Sequence, residues 1–305
     1  MKKLGMAILA FALVIGMISH AAEPAINSVL SLDFDNVAGS IIPDTSGAGN
    51  NGEFQDEYGA GIMFIEGPFG QAVQLDGASQ FIEVPANVFD RDEVTIAFWI
   101  HWEGGIAWQR IFEVGSLSAD AHITFVPRTH EDIMSFQSWN AAAQHAFVAT
   151  PADSSSFPTN EWVHVAITQD ANTLTRIYFN GNPLALDLLF WTAGDSHTLE
   201  NVTEFVAGTS FRYVNSPTNS NGEDNFSRFG HSATAFWDAP MAGSFNAVHV
   251  FNGVLSQEQI TSLMEHNSPF VAASGSDLPW VWIATGTGAV VIIAVIVVVV
   301  LKKKR

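Results

Sequence analysis

Glycoside cleavage needs two carboxylates facing one bond, one protonated and one ionised. On a strand, only residues an even number apart point into the same cleft. The nearest approach in this chain is Glu53-Phe-Gln-Asp56-Glu57, which is off by one residue and is expected in a loop. There is no Gly-x-Ser-x-Gly elbow, no His-Glu-x-x-His, no phosphate loop and no cysteine. A Ser-His-Asp set is spatial, so the order of residues leaves it open. Among ten histidines, His101, His164 and His249 alternate with apolar residues and read as packed rather than reactive. A different chemistry is offered by Trp139, Trp191 and Trp237, which stand outside the clear strand patterns, the last followed by Asp238. Sugar rings present apolar C–H faces, so an exposed indole plane with polar neighbours suits a glycan. These four are the candidate ligand-binding residues, although loop tryptophans can equally cap a core.

The elements that must position them are mostly strands. In Thr95–Trp102, Ile96, Phe98, Ile100 and Trp102 fall on one face, with Thr95, Ala97, Trp99 and His101 opposite. Trp162–Thr168 repeats the arrangement, with Val163, Val165 and Ile167 on the apolar face. Asn180-Gly181 after Thr175–Phe179 supplies the two positive φ angles of a type I′ hairpin. Asp76-Gly-Ala-Ser79 is expected to join two paired strands, and Ala185–Asn201 and Asn215–Asp224 read as surface loops. One soluble helix is expected from Ser256 to about His266, started by a Ser256/Gln259 capping box and a Leu255/Ile260 staple. The expected core includes Leu32, Phe34, Phe98, Val165, Ile177 and Phe179.

Both ends carry targeting signals. Residues 1–22 read as a signal peptide: Lys2-Lys3, the apolar stretch Leu4–Ile18, then Ser19-His20-Ala21-Ala22. Trp280–Leu301 is uncharged and spans about 33 Å as a helix, enough for a bilayer core. Lys302–Arg305 follows at once and is expected to stay cytoplasmic. The expected organisation is therefore an ectodomain over 26–268, a linker over 269–279, a transmembrane helix over 280–301 and a basic tail over 302–305. That makes a single-pass cell-membrane protein with its N-terminus extracellular or periplasmic. All 31 carboxylates lie between Glu23 and Asp277, against six arginines and no lysine in that stretch. Such a field excludes nucleic acid as a partner.

Within this frame, the chain resembles the laminin-G-like, concanavalin-A-like jelly roll family of bacterial surface proteins. The resemblance runs from about Leu30 to Met264. It rests on Leu32-Asp-Phe-Asp, Asp44-Thr-Ser-Gly, Phe69-Gly-Gln-Ala-Val-Gln-Leu-Asp-Gly77 and Phe81-Ile-Glu-Val-Pro85. It continues through Thr95-Ile-Ala-Phe-Trp-Ile100, Trp108-Gln-Arg-Ile-Phe-Glu-Val-Gly115, Glu161-Trp-Val-His-Val-Ala-Ile-Thr168, Ile177-Tyr-Phe-Asn-Gly181 and Val248–Ile260. It implies an all-β, two-sheet antiparallel sandwich with one short C-terminal helix. It also implies one structural Ca2+ near the Asp44 loop, with Asn246 standing where the family carries an acidic residue of the last strand. The alternative for Asp44 is a plain turn. Family members that cleave glucans place carboxylates as Glu-x-Asp-x-x-Glu on one strand, a spacing absent here. The expectation is a non-catalytic domain that binds a polysaccharide, with a protein-binding adhesion or scaffold module as the alternative and a glycoside hydrolase as the more remote one.

Overall fold

The computed structural model describes residues 26–268, apart from 118–119, 142–144, 193–194, 216–223 and 236–237. For residues 145–147, 190–192, 195–197 and 215 only the backbone course is described. The described residues form two antiparallel sheets, nine-stranded and ten-stranded. The first runs β14 (Asn182–Pro183), β13 (Leu174–Phe179), β12 (Trp162–Gln169), β7 (Val94–Trp102), β19 (Ala242–Phe251), β5 (Gln71–Asp76), β4 (Met63–Glu66). In it, β1 (Ser28–Leu32) also pairs with β19, and β17 (Phe205–Val206) with β13. The second runs β16 (Asp195–Val202), β15 (Leu186–Thr192), β11 (His145–Pro151), β10 (Ser135–Asn140), β9 (Ala121–Val126), β8 (Phe112–Ser116), β18 (Asn225–Phe229), β6 (Gln80–Glu83), β3 (Gly52–Asp56), β2 (Ile41–Ile42).

The cleanest alternation in the sequence sits at the centre of the first sheet. Val163 pairs with Ile100, Val165 with Phe98 and Ile167 with Ile96, so the apolar faces of β12 and β7 form one surface. That surface meets the second sheet through edge-on rings: Phe98 lies 6.3 Å from Phe112 and 5.8 Å from Phe229. Leu32, Phe34, Phe98, Val165 and Ile177 are buried as expected, with Phe179 partly buried against them. The Asn180-Gly181 turn has φ values of 47° and 76°, as a type I′ hairpin requires.

After the short helix α1 (Phe211–Asn215), helix α2 (Gln257–His266) carries the complete capping box. The Ser256 hydroxyl accepts from Gln259 N–H, and the Gln259 side chain accepts from Ser256 N–H. Leu255, Ile260 and Leu263 pack on Ala97, Ala166, Tyr178 and Phe251, which covers part of the outer face of the first sheet. The helix stops at Asn267, which adopts the left-handed conformation.

Three expectations are corrected. Ala185–Asn201 is not a loop but the β15–β16 hairpin at the edge of the second sheet. Its apolar residues fall on both faces, Leu188 buried and Leu189 exposed, which erases the alternation. Asp76–Ser79 does not join paired strands. It carries the chain from β5 in one sheet to β6 in the other, and one Asp76 carboxylate oxygen accepts from the N–H groups of Ala78, Ser79 and Gln80 at this corner. Glu53–Asp56 lies in strand β3 rather than a loop. Among the described residues no helix is long and apolar enough to cross a membrane. The expected signal peptide and the run Trp280–Leu301 lie outside the described residues.

Candidate functional site

Alternation along β8 to β10 turns Phe112, Val114, Ile123, Phe125 and Phe136 into the core. The intervening residues face outward, and the ladder aligns them across the strands. Phe226 of β18 stands beside Gly115, Gly115 beside His122, His122 beside Trp139, Trp139 beside Ala146 and Ala146 beside Trp191. The register therefore aligns Trp139 and the backbone position of Trp191 in one row across the strands, two strands or about 10 Å apart. Both lie in strands, not loops. The Trp139 ring is partly exposed, and its Nε1–H donates to Asp120 Oδ1 at 3.2 Å. That bond fixes the plane of the indole while leaving part of its surface to solvent.

Gly115 is required at its place in this row. A Cβ there would lie 2.7 Å from the His122 Cβ and 2.8 Å from the Phe226 ring. Burial lowers the His122 pKa, against the raising field of Glu113, so its imidazole is neutral at neutral pH. One row further along the strands, Gln137, Val148, Leu189 and Thr198 align in the same way. Val148, Thr150, Asp187, Leu189 and Thr198 line a surface depression of about 330 Å³ beside the tryptophan row. The face thus combines a fixed aromatic plane, apolar floor and polar rim.

Asp238 has a different task. Arg110 donates from Nη2 to Asp238 at 3.0 Å and from Nη1 to the Trp108 carbonyl at 2.5 Å, with its Nε 3.8 Å from Glu113. The Glu113 carboxylate faces outward on β8 yet is fully buried, because residues 232–234 fold over it. It accepts from the Ser232 and Thr234 hydroxyls and from the Ala233 and Thr234 N–H groups, at 2.6 to 3.2 Å. Burial raises the Asp238 pKa even with Arg110 beside it. These bonds pin both sides of the connection between β18 and β19, the segment that contains Trp237, itself outside the described residues. Neither carboxylate is arranged for acid–base work on a glycosidic bond. Glu113 is saturated with donors, and Arg110 stands between the two. The segment around Glu53 offers nothing better, since Asp56 accepts from Gly59, Gly61 and Ser79 to build a turn.

Asp44 and Asn246 belong to separate networks. Asp44 accepts from Ser31 N–H, Ser46 N–H, the Ser46 hydroxyl and Asn50 N–H, all at 2.9 Å. Burial pulls its pKa up, but these donors together outweigh that and leave it lowered. Asn246 is fully buried, and its side-chain bonds all go to the Phe69–Gln71 turn. Its Nδ2–H groups point at the carbonyls a cation would need, so the two residues do not fit one shared calcium. Among the described residues no three His, Asp or Glu side chains gather as a metal-binding group.

Two antiparallel sheets packed face to face, with helix α2 on the outside of one, define a jelly-roll sandwich. A family model described as the concanavalin A-like lectin/glucanases superfamily matches residues 76–186, so the expected resemblance holds over that segment. No curated protein sequence matches the chain. Among solved structures, domain 4 of AbnA, a GH43 extracellular arabinanase from Geobacillus stearothermophilus in complex with arabinotriose, is similar with a TM-score of 0.54 at 19% identity. The alignment covers 78% of this chain and 98% of that domain. The receptor binding domain of botulinum neurotoxin type G aligns with a TM-score of 0.48 at 13% identity, over 79% of this chain and 51% of that one. A sialidase from Trypanosoma rangeli aligns with a TM-score of 0.49 at 12% identity, over 78% of this chain and 32% of that one. At these identities the likeness to the arabinanase domain shows the fold alone.

Proposed function

We propose that this chain is a membrane-anchored, non-catalytic module that binds an extended polysaccharide on the outer face of its ten-stranded sheet. The observation that carries the reading is the register that sets Trp139 and Trp191 in one row beside an apolar depression. An open sheet face with an aromatic plane suits a linear chain of sugar rings better than a single buried ligand. The arabinotriose in the similar arabinanase domain is in keeping with a sugar ligand on this kind of sandwich. The scarcity of cations in the stretch Glu23–Asp277 favours a neutral ligand over an anionic one.

A panel of neutral and charged polysaccharides, offered to the soluble fragment Glu23–Asp277, tests the proposal. Saturable binding without release of reducing ends is the expected result. Turnover of any polysaccharide, abolished by changing one carboxylate, would make the domain a hydrolase instead. Binding only to a protein, or to a second copy, would favour the adhesion reading.

The anchoring half of the proposal is supported by Trp280–Leu301 and the basic tail. External protease on intact cells is expected to remove the ectodomain and leave a stub with Lys302–Arg305 protected. Resistance of the whole ectodomain to external protease would defeat the orientation.

A further inference from the structure

Asn246, on the last strand, spends its whole side chain on one distant turn. Its Oδ1 accepts from Phe69 N–H at 3.0 Å. Its Nδ2 donates to the carbonyls of Phe69 at 2.8 Å and Gln71 at 2.7 Å. Every hydrogen-bonding hydrogen of the amide is used, in a site with no solvent exposure. The turn is held from its other side by Asp35, whose carboxylate accepts from Gln71 N–H at 2.8 Å.

The packing leaves no room for adjustment. A Cβ on Gly67 would lie 2.7 Å from Asn246 Cγ, and one on Gly70 would lie 2.5 Å from Asp35 Oδ1. Gly70 also has a φ of 68°, which only glycine adopts cheaply. The chain thus brings two carbonyl oxygens to one point at the Asn246 amide. Such a point requires positive charge, and here the two N–H bonds of one neutral amide supply it.

We infer that the Asn246 amide does structurally, within the chain, what a bound cation would otherwise do at the Phe69–Gln71 turn, so that this domain is folded independently of calcium. The disagreement with the calcium that the family resemblance implies is then a matter of one atom. An aspartate side chain at this position has the same shape, but it would turn an oxygen toward the two carbonyl oxygens. That arrangement is repulsive unless a proton or a cation enters between them. Asn246→Asp thus sets a carboxylate against two carbonyls, hard oxygen donors of the kind Ca2+ prefers.

The test is thermal unfolding of the full chain and of Asn246→Asp in detergent, each with EDTA, with millimolar CaCl2 and with millimolar MgCl2. The parent is expected to melt at the same temperature in all three. Asn246→Asp in EDTA is expected to melt lower by about 5–10 °C, the size of a lost buried hydrogen-bond pair in a domain of this length. Calcium should recover most of that shift. Lowering the pH through the carboxylate range should do so too, because the introduced carboxyl, once protonated, can again donate. A parent whose melting temperature rises with calcium, or falls with EDTA, would overturn the inference whether or not the variant folds. So would an Asn246→Asp protein that matches the parent in EDTA, or one that neither calcium nor acid restores.

Discussion

Replacing Glu113 with alanine is expected to destabilise the domain by about 3–5 kcal/mol, the cost of breaking a buried ionic network by removing one member. The carboxylate is fully buried and accepts from four donors in residues 232–234. Without it, the Ser232 and Thr234 hydroxyls and two N–H groups lose their acceptor, and Arg110 keeps Asp238 and the Trp108 carbonyl but loses one of its two carboxylate neighbours. Glu113→Gln should cost less, about 1–3 kcal/mol, because one oxygen remains while an NH2 is forced against donors. Denaturant titration of both variants is the measurement. A loss below about 1 kcal/mol for the alanine variant would mean that the 232–234 segment is not held as described. The order of the two effects also matters, since an equal loss would reduce the site to packing.

Trp139→Ala is expected to cost at least about 2 kcal/mol of glycan binding, roughly thirtyfold in Kd, with little change in Tm. The ring is partly exposed and its one polar bond, to Asp120, lies at the surface, so truncation opens no core cavity. Trp139→Phe should fall between, keeping an aromatic plane but losing the bond that orients it. Isothermal titration with a polysaccharide that binds the parent, run beside thermal melts, separates the outcomes. Unchanged affinity would remove this face as the site, while a large fall in Tm would mark Trp139 as structural.

Legibility in the sequence followed how strictly each strand divides apolar from polar. Thr95–Trp102 and Trp162–Thr168 alternate without exception on their inner face, and both strands and their mutual phase could be read directly. Asn180-Gly181 and the Ser256 box were readable because backbone geometry there depends on one or two residue types. The edge hairpin was not, because Leu188 and Leu189 put apolar groups on both faces. The site suffered the same loss. In Ser135-Phe-Gln-Ser-Trp-Asn140 the two aromatics are three apart, so Phe136 enters the core while Trp139 leaves it. Residue type had marked Trp139 and Trp191, but only the pairing of β10, β11 and β15 could show that they share a row. Asp238 stands out in the sequence only through its neighbour Trp237, and sequence order does not show that Arg110 holds it. Glu113 looked like an ordinary outward residue, because nothing local announces that a distant segment will cover it.

The helix α2 has a mechanical consequence. Its last residue is followed by Asn267, whose Oδ1 meets His249 Nε2 at 2.7 Å, and the other ring nitrogen of His249 meets the Ser31 hydroxyl at 3.0 Å. One imidazole on β19 therefore couples the exit of the chain to its first strand, which is itself paired along β19. A pull applied beyond residue 268 is shared between the helix, β19 and β1 instead of peeling off a terminal element. The helix lies on the outer face of the nine-stranded sheet, and the tryptophan row lies on the outer face of the other. Under the anchoring proposed above, a tether leaving from the helix end would hold the sandwich by its back, with the Trp139 face turned outward and the load path running clear of it.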